Sequence, residues 1–182
     1  GVSACATCDG FFFKNKNVAV IGGGNTAVEE ALYLSNLCQN VTLIHRRDEL
    51  RAEKILQSRL FDKKNINILW NNKVDEILGD DFGVNSLKLI STKDGSETVI
   101  KIDGIFIAIG HDPSTLVFKN KIDLDKDNYI ITKSGETTTS VPGIFAAGDC
   151  VDKIYRQAVT AAGMGCMACL LYTSPSPRDR IA

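Results

Sequence analysis

The chain has 182 residues, of which 44% are apolar and 24% charged, a balance typical of a globular protein rather than a disordered or fibrous one. Its 21 Lys and Arg against 22 Asp and Glu leave a formal charge of −1, which excludes a strongly basic field for nucleic acid or an anionic membrane. Six cysteines are too few for a small disulfide scaffold, and no apolar run is long enough to indicate a membrane span.

The first part of the chain predicts a parallel βαβ unit. The β-branched run 17–21 is followed by the glycines at 22–24, and apolar residues then recur at helical spacing over 27–37. A second β-branched run covers 41–44. Strand, glycine turn, helix and strand within about 30 residues are the pattern of a βαβ unit.

The rest of the chain predicts further elements of an α/β fold in two domains. Before a boundary that the polar stretch around Pro113 places at 111–116, we expect a helix over 52–61, a strand over 66–70, an antiparallel meander over 74–103 and a buried strand over 104–110. After the boundary we expect strands over 129–132 and 144–147 and a helix over 154–168.

A dinucleotide-binding motif, Gly22-x-Gly24-x-x-Ala27, lies where the first predicted strand turns into the helix. Backbone N–H groups and the positive end of the helix can meet a pyrophosphate there, and Gly24 allows its close approach. The alternative is a plain tight turn. The strand and helix on either side favour cofactor binding.

Residues at the end of the second strand indicate which dinucleotide binds. An NAD site carries Asp or Glu at this point, whereas an NADP site carries cations for the 2′-phosphate. The sequence has His45, Arg46 and Arg47 here, with Arg51 about one helical turn further on. Because the planar donor fork of arginine matches phosphate oxygens, we predict NADPH rather than NADH. The alternative is a solvated basic segment at the start of a helix.

A second motif, Cys5-x-x-Cys8 followed by Asp9, has three interpretations: a redox dithiol, half of a zinc site and a structural disulfide. The other such pair, Cys166 and Cys169, lies far outside the usual spacing of roughly 15–20 residues for zinc, and we expect no metal. An adjacent NADPH site favours the redox dithiol. Because a flavin normally stands between nicotinamide and a disulfide, we also expect FAD, for which Asp149 at the end of a buried strand is a candidate.

The motifs together resemble those of bacterial-type, low-molecular-weight thioredoxin reductases, and the resemblance covers residues 1–168. The matching segments are CATCDGFF at 5–12, VAVIGGGNTAVEEALYLSN at 18–36, HRRDELRAEKIL at 45–56, AIGHDP at 108–113, GIFAAGD at 143–149 and YRQAVTAAGMGCMA at 155–168. The resemblance implies a two-domain flavoprotein disulfide reductase with an FAD/NAD(P)-binding, Rossmann-like α/β fold. It also implies a cytoplasmic homodimer that reduces oxidised thioredoxin with NADPH, without nucleic-acid or membrane partners.

The resemblance also implies a role for each motif residue. Cys8 would face the flavin, Cys5 would attack the thioredoxin disulfide, and Asp9 would be the acid/base that manages their protons. The residues implied for NADPH are Gly22, Gly24, Asn25 and Thr26 along the pyrophosphate, and His45, Arg46, Arg47 and Arg51 around the 2′-phosphate. Those implied for FAD are Asp149 at the ribityl chain and Arg156, Gln157 and Ala158 beside the isoalloxazine ring.

The chain departs from the family pattern at both ends. The N-terminal FAD-binding segment is absent, so we expect a fragment that is inactive by itself. We predict an NADPH-binding domain with the redox pair over 1–112 and the C-terminal part of an FAD-binding domain over 113–168. The remaining residues, 169–182, contain two of the four prolines, and we expect them to be a non-native tail.

Two other functions stay open at this point. One is a related flavoprotein that reduces a peroxiredoxin, and the other is a non-catalytic, NADP-binding redox sensor. Among the remaining side chains, we expect Phe11 to Phe13 to be buried beneath the cysteine turn, although they could help to dock a partner. We expect Cys38 and Cys150 to be free thiols and His111 to be structural.

Overall fold

A computed structural model describes residues 1–173, which fall into two compact units, Gly1–Gly110 and a second from His111 onward. The strands, all in the first unit, are β1 (Val2–Ser3), β2 (Asn17–Ile21), β3 (Asn40–His45), β4 (Ile66–Trp70), β5 (Asn72–Asp80), β6 (Gly83–Ser91), β7 (Glu97–Lys101) and β8 (Gly104–Ile107). The α-helices are α1 (Ala6–Asp9), α2 (Asn25–Leu34), α3 (Lys54–Phe61) and, in the second unit, α4 (Ala158–Thr173). No helix within residues 1–173 is long and apolar enough to cross a membrane.

The first unit has two sheets. Five parallel strands pair in the order β1-β8-β2-β3-β4, and β5, β6 and β7 form an antiparallel meander. The predicted βαβ unit, the strand over 66–70 and the meander are therefore confirmed. Strand β1 was not predicted, because two residues before a cysteine motif are too short for a periodic pattern to show.

Apolar residues cover both faces of the parallel sheet, as the continuous apolar runs require. Side chains alternate along each strand, so Val18 and Val20 of β2 join the cluster beneath the helices, while Ala19 joins the cluster on the opposite face. That second cluster includes Leu87 and Leu89 of β6. The parallel sheet thus lies between a helical layer and the meander, and its carboxyl ends stay open for a ligand.

Burial of the aromatic run after the cysteines was predicted wrongly for two of its three residues. Phe11 and Phe12 are 68% and 73% exposed, and only Phe13 reaches the core, where its ring packs edge-on against Phe106 at 5.4 Å between centroids. The three residues lie in a 3-10 turn, Gly10–Phe13, whose successive side chains point in different directions. One of the three therefore packs inward.

The second unit has less regular structure than the sequence predicts. Residues 129–132 and 144–147 are not strands but take part in single antiparallel bridges, Leu124 with Ile130 and Thr138 with Phe145. Their backbone N–H groups bond to several different segments, as Ile130 does to the carbonyl of Cys150 and Ile131 to that of Asp123. A strand needs one continuous neighbour, and the described residues of this unit provide none.

Helix α4 starts later and ends later than the predicted helix over 154–168. Its start is delayed because residues 154–156 form a loop around Asp152, described below. It continues through Cys169 to Thr173, so the first residues of the predicted tail are helical. The rest of that tail lies outside the described residues. No residue of α4 is buried, although the helix is strongly apolar.

The cysteines outside the first motif are free thiols, as predicted for Cys38 and Cys150, and Cys166 and Cys169 are free as well. Cys38 is buried, and this burial raises the pKa of its thiol to about 11, which makes it a poor nucleophile. Across residues 1–173, no three His, Cys, Asp or Glu side chains come together as a metal site would need.

Candidate functional site

Cys5 and Cys8 form a disulfide across the single turn of α1, with their Cα atoms 5.3 Å apart. Cys5 is the N-cap of this helix, and its sulfur accepts the backbone N–H of Cys8 at 3.2 Å. Cys5 is half-buried, whereas Cys8 is exposed. A cysteine pair at a helix N-terminus favours the thiolate and hence thiol–disulfide exchange.

Two residues that sequence analysis missed hold this turn. The buried hydroxyl of Ser3 donates to Oδ2 of Asp9 at 2.7 Å, so Asp9 stays beside the cysteine pair. On the other side, Oε1 of Glu30 in α2 accepts the backbone N–H of Ala6 at 3.3 Å. Burial raises the pKa of Glu30, against the smaller opposing effect of this hydrogen bond, and its Oε2 is buried without a partner among the described residues.

The glycine turn between β2 and α2 has three positions with different constraints. Gly22 has φ of 151°, and a Cβ there would lie 2.3 Å from the carbonyl oxygen of Ala108. A Cβ on Gly23 would lie 2.2 Å from the imidazole of His45. A Cβ on Gly24 would meet nothing within 4 Å. Gly24 therefore borders open space at the N-terminus of α2, where a pyrophosphate would approach.

That space is a pocket of about 570 Å³ at the carboxyl ends of β2, β3 and β8. Thr26, Arg46 and Arg51 line it, as predicted for a nucleotide site, and so does Lys73 of β5, a cation that sequence analysis missed because it lies in an alternating strand. Positive side chains, a helix N-terminus and an unobstructed glycine together fit the phosphates of a dinucleotide.

The structure places three other predicted nucleotide residues differently. His45 lies in the pocket wall but is 5% exposed, and its Nε2 is buried without a partner in the described part of the chain. Burial, together with the positive charges of Arg47 and Arg51, lowers the pKa of His45, although its backbone hydrogen bonds act the other way. Its neutral ring therefore packs directly against Gly23. Arg47 is exposed and does not line the pocket.

Asn25 also does not line the pocket with its side chain. Its Oδ1 accepts the backbone N–H of Glu53 at 2.8 Å, and its Nδ2 donates to Oε1 of the same residue at 3.4 Å. Glu53 is the N-cap residue of α3. Asn25 thus joins the start of α2 to the start of α3.

In the second unit, Asp149 is exposed on a short 3-10 turn, Gly148–Cys150. Arg156 and Gln157 lie just before α4, and Ala158 is its first residue. Sequence analysis missed Asp152, which organises the loop between Asp149 and α4. Its carboxylate accepts the backbone N–H groups of Tyr155 at 2.9 Å and of Ile154 and Arg156 at 3.0 Å, and these bonds lower its pKa. Because Arg156 has φ of 49°, an uncommon value for a residue with a side chain, the loop needs this support.

Comparisons with known proteins agree with this geometry. Residues 1–165 match the family described as pyridine nucleotide-disulphide oxidoreductase. A thioredoxin reductase of Rickettsia felis is 60% identical over 172 residues, which are 93% of this chain and 56% of that protein. A protein of Pseudomonas fluorescens named glucosaminate ammonia-lyase is 56% identical over 177 residues, 93% of this chain and 55% of that protein.

A solved structure gives the same result. The crystal structure of thioredoxin reductase from Streptococcus pyogenes superposes with a TM-score of 0.83 at 44% identity, covering 92% of this chain and 55% of that one. The chain spans about half the length of the curated relatives that it matches. With its family match, its relatives and its paired cysteines, the chain belongs to the pyridine nucleotide-disulphide oxidoreductase family.

Proposed function

We propose that this chain is part of an enzyme that reduces oxidised thioredoxin with NADPH, through FAD and the Cys5–Cys8 pair. The observation that carries the proposal is that one unit holds both a disulfide at a helix N-terminus and a cation-lined pocket for a dinucleotide. We propose that residues 1–112, as divided from the sequence, form an NADPH-binding domain. We propose that residues 113–168 are part of an FAD-binding domain.

The residues that we propose for NADPH differ in the phosphate group that each would bind. Gly24, Thr26 and the N-terminus of α2 would hold the pyrophosphate, and Arg46 and Arg51 would hold the 2′-phosphate, with Arg47 next to them. In the second unit, Asp149 would bind the ribityl chain of FAD, and the loop around Arg156 would face the ring system. When bound, NADPH supplies a hydride, and FAD passes two electrons to the disulfide.

The cysteine pair carries the exchange with the protein substrate. Two electrons and two protons convert the disulfide to two thiols. Asp9 would take the proton of the Cys5 thiol, the Cys5 thiolate would attack one thioredoxin sulfur to form a mixed disulfide, and Asp9 would return that proton to the released thioredoxin thiolate. The Cys8 thiol would lose its proton in the same way and attack the Cys5 sulfur, which re-forms the original disulfide, and its proton would pass to the second thioredoxin sulfur as reduced thioredoxin leaves. Exposure favours Cys8 over Cys5, so the choice of Cys5 as the attacking thiol rests on the resemblance.

The surface beside the disulfide supports a protein as substrate. Phe11 and Phe12, three and four residues after Cys8, expose their rings and form an apolar patch that a partner protein could cover. We also propose that the whole enzyme is a cytoplasmic homodimer. We further propose that it has no nucleic-acid or membrane partners, in keeping with the formal charge of −1 on this chain. Light scattering of the full-length protein tests the dimer.

The proposed activity is tested by its stoichiometry. Full-length protein loaded with FAD should oxidise one NADPH for each thioredoxin disulfide reduced and should use NADH poorly. Equal turnover with a peroxiredoxin and none with thioredoxin would favour the related reductase. NADPH binding without any disulfide reduction would favour a sensor module. Release of ammonia from glucosaminate, assayed in parallel, would favour the activity after which the Pseudomonas relative is named.

A further inference from the structure

Ser3 connects the attacking cysteine to the acid/base residue through one hydroxyl group. It ends β1, where it pairs with Phe106 of β8, and it is 8% exposed. Its Oγ accepts the backbone N–H of Cys5 at 3.1 Å and donates to Oδ2 of Asp9 at 2.7 Å. The carbonyl oxygen of Cys5 is a more distant alternative acceptor at 3.3 Å.

Strand β1, which carries this hydroxyl, is held more rigidly than helix α1, to which the hydroxyl bonds. Helix α1 has four residues, and a single turn has little stability of its own. Strand β1, in contrast, is part of the five-stranded sheet. The position of the Asp9 carboxylate relative to Cys5 and Cys8 therefore depends on a hydrogen bond to the sheet rather than on α1 alone.

We propose that Ser3 is a positioning residue for thiol–disulfide exchange, because its hydroxyl holds the Asp9 carboxylate beside the Cys5–Cys8 pair. This inference rests on the proposed function, in which Asp9 moves the proton. The hydroxyl therefore influences where the Asp9 carboxylate lies.

Two variants of the full-length, FAD-loaded protein test this role. Ser3→Ala should lower kcat for thioredoxin reduction by about tenfold, since misplaced acid/base groups lose much of their contribution. Its KM for thioredoxin should not change, because Ser3 is buried and acts on Asp9 rather than on the partner surface. Flavin reduction by NADPH should not change. Ser3→Thr keeps a hydroxyl and should restore the wild-type kcat.

Ser35→Ala is the matched control. Ser35 is also 8% exposed, and its hydroxyl donates to the backbone carbonyl of Leu32 at 2.7 Å, at the end of α2. Its loss removes a buried hydrogen bond of similar length without touching α1. A loss of kcat in Ser35→Ala equal to that in Ser3→Ala would overturn the inference, because general loosening of the domain would then explain both.

A double-mutant cycle with Asp9 separates positioning from folding. If Ser3 acts through Asp9, Ser3→Ala should change the rate less than about twofold in an Asp9→Asn background. Asp9→Glu, whose longer side chain moves the carboxylate off the Ser3 hydroxyl, should reproduce the loss of kcat even if Ser3→Ala does not fold. Additive effects of Ser3→Ala and Asp9→Asn, or a wild-type kcat in Asp9→Glu, would refute the role of Ser3.

Failure of this inference and failure of the proposed function are distinguishable. If the wild-type protein does not reduce thioredoxin with NADPH, the proposed function itself is refuted. If the wild-type protein does reduce it and a Ser3→Ala variant keeps the same rate, only the role of Ser3 is refuted.

Discussion

The carbonyl oxygen of Gly23 accepts the backbone N–H of Arg51 at 2.7 Å and that of Ala52 at 3.2 Å. The turn that faces the proposed pyrophosphate site and the segment that carries an arginine of the proposed 2′-phosphate site are thus fixed to each other. With Gly23 resting on His45, the pocket has its shape before a nucleotide arrives.

The arginines of this pocket should determine the choice between NADPH and NADH. Arg46→Ala removes charged hydrogen bonds worth about 1.5–3 kcal/mol and should weaken NADPH binding by roughly 10- to 100-fold while leaving NADH binding nearly unchanged. Titration calorimetry with both nucleotides measures this. Arg59→Ala, an exposed arginine on α3 outside the pocket, is the control. Unchanged selectivity in the combined Arg46, Arg47 and Arg51 variant would rule out the phosphate role.

Gly22 and Gly24 should respond differently to the same substitution. Gly22→Ala places a Cβ 2.3 Å from a backbone oxygen at a φ that side chains avoid, so it should lower the free energy of unfolding by more than about 1–3 kcal/mol. Gly24→Ala, at φ of −93° with no atom near its Cβ, should leave stability unchanged.

Gly24→Ala should change NADPH binding although it leaves stability unchanged. Because its methyl group enters the space that the pyrophosphate needs, NADPH affinity should fall at least about tenfold. Urea unfolding and nucleotide titration on the same samples separate the two effects. Full NADPH affinity in a stably folded Gly24→Ala protein would show that the pyrophosphate binds elsewhere.

Glu30 should make stability depend on pH. Its raised pKa means that the native state favours the protonated form, so stability is highest below the unfolded-state pKa of about 4.3 and falls as pH rises toward the native value. Glu30→Gln keeps an acceptor for Ala6 without the charge and should be more stable than wild type at pH 7. The difference should vanish near pH 4.

Urea unfolding from pH 4 to pH 8 measures this dependence, with Glu29→Gln, the exposed neighbour on α2, as the control. Equal stability of wild type and Glu30→Gln throughout that range would mean that Glu30 gains enough solvation to ionise freely in the native state.

Asp152 should have the opposite pH dependence. Three backbone N–H groups lower its pKa, so its stabilisation is present above the usual value of about 3.9 and is lost as pH falls through the native pKa. Asp152→Asn should weaken the second unit at pH 6 but have no effect at strongly acidic pH. It should also reduce FAD retention by the full-length protein, and Asp123→Asn, exposed on the same unit, should change neither property.

Much of the first unit could be predicted because its elements have strong periodic patterns. The meander alternates, and the glycine motif sits between a strand and a helix, so local pattern and tertiary structure agree. Arg46 and Arg51 were predicted from their place at the end of the second strand, about 20 residues after the glycine motif, and both line the pocket.

The features that the sequence did not reveal have physical causes that a sequence pattern does not contain. Ser3 and Glu30 act on α1 through contacts that cross from a strand or another helix, and no spacing along the chain marks them. His45 is a polar residue that is buried in the pocket wall because Gly23 packs against its ring. Residues 129–132 have strand-like composition, but composition does not supply the neighbouring strand that a ladder needs.

The central claim is that the Cys5–Cys8 pair carries electrons from NADPH to a protein disulfide. The most direct measurement compares Cys5→Ser, Cys8→Ser and Cys150→Ser in the FAD-loaded, full-length protein, following flavin reduction by NADPH and reduction of thioredoxin in the same stopped-flow experiment. Both motif variants should reduce flavin at the wild-type rate and lose thioredoxin reduction, while Cys150→Ser, a free thiol in the second unit, should keep its thioredoxin activity. Wild-type thioredoxin turnover in either Cys5→Ser or Cys8→Ser would contradict the account.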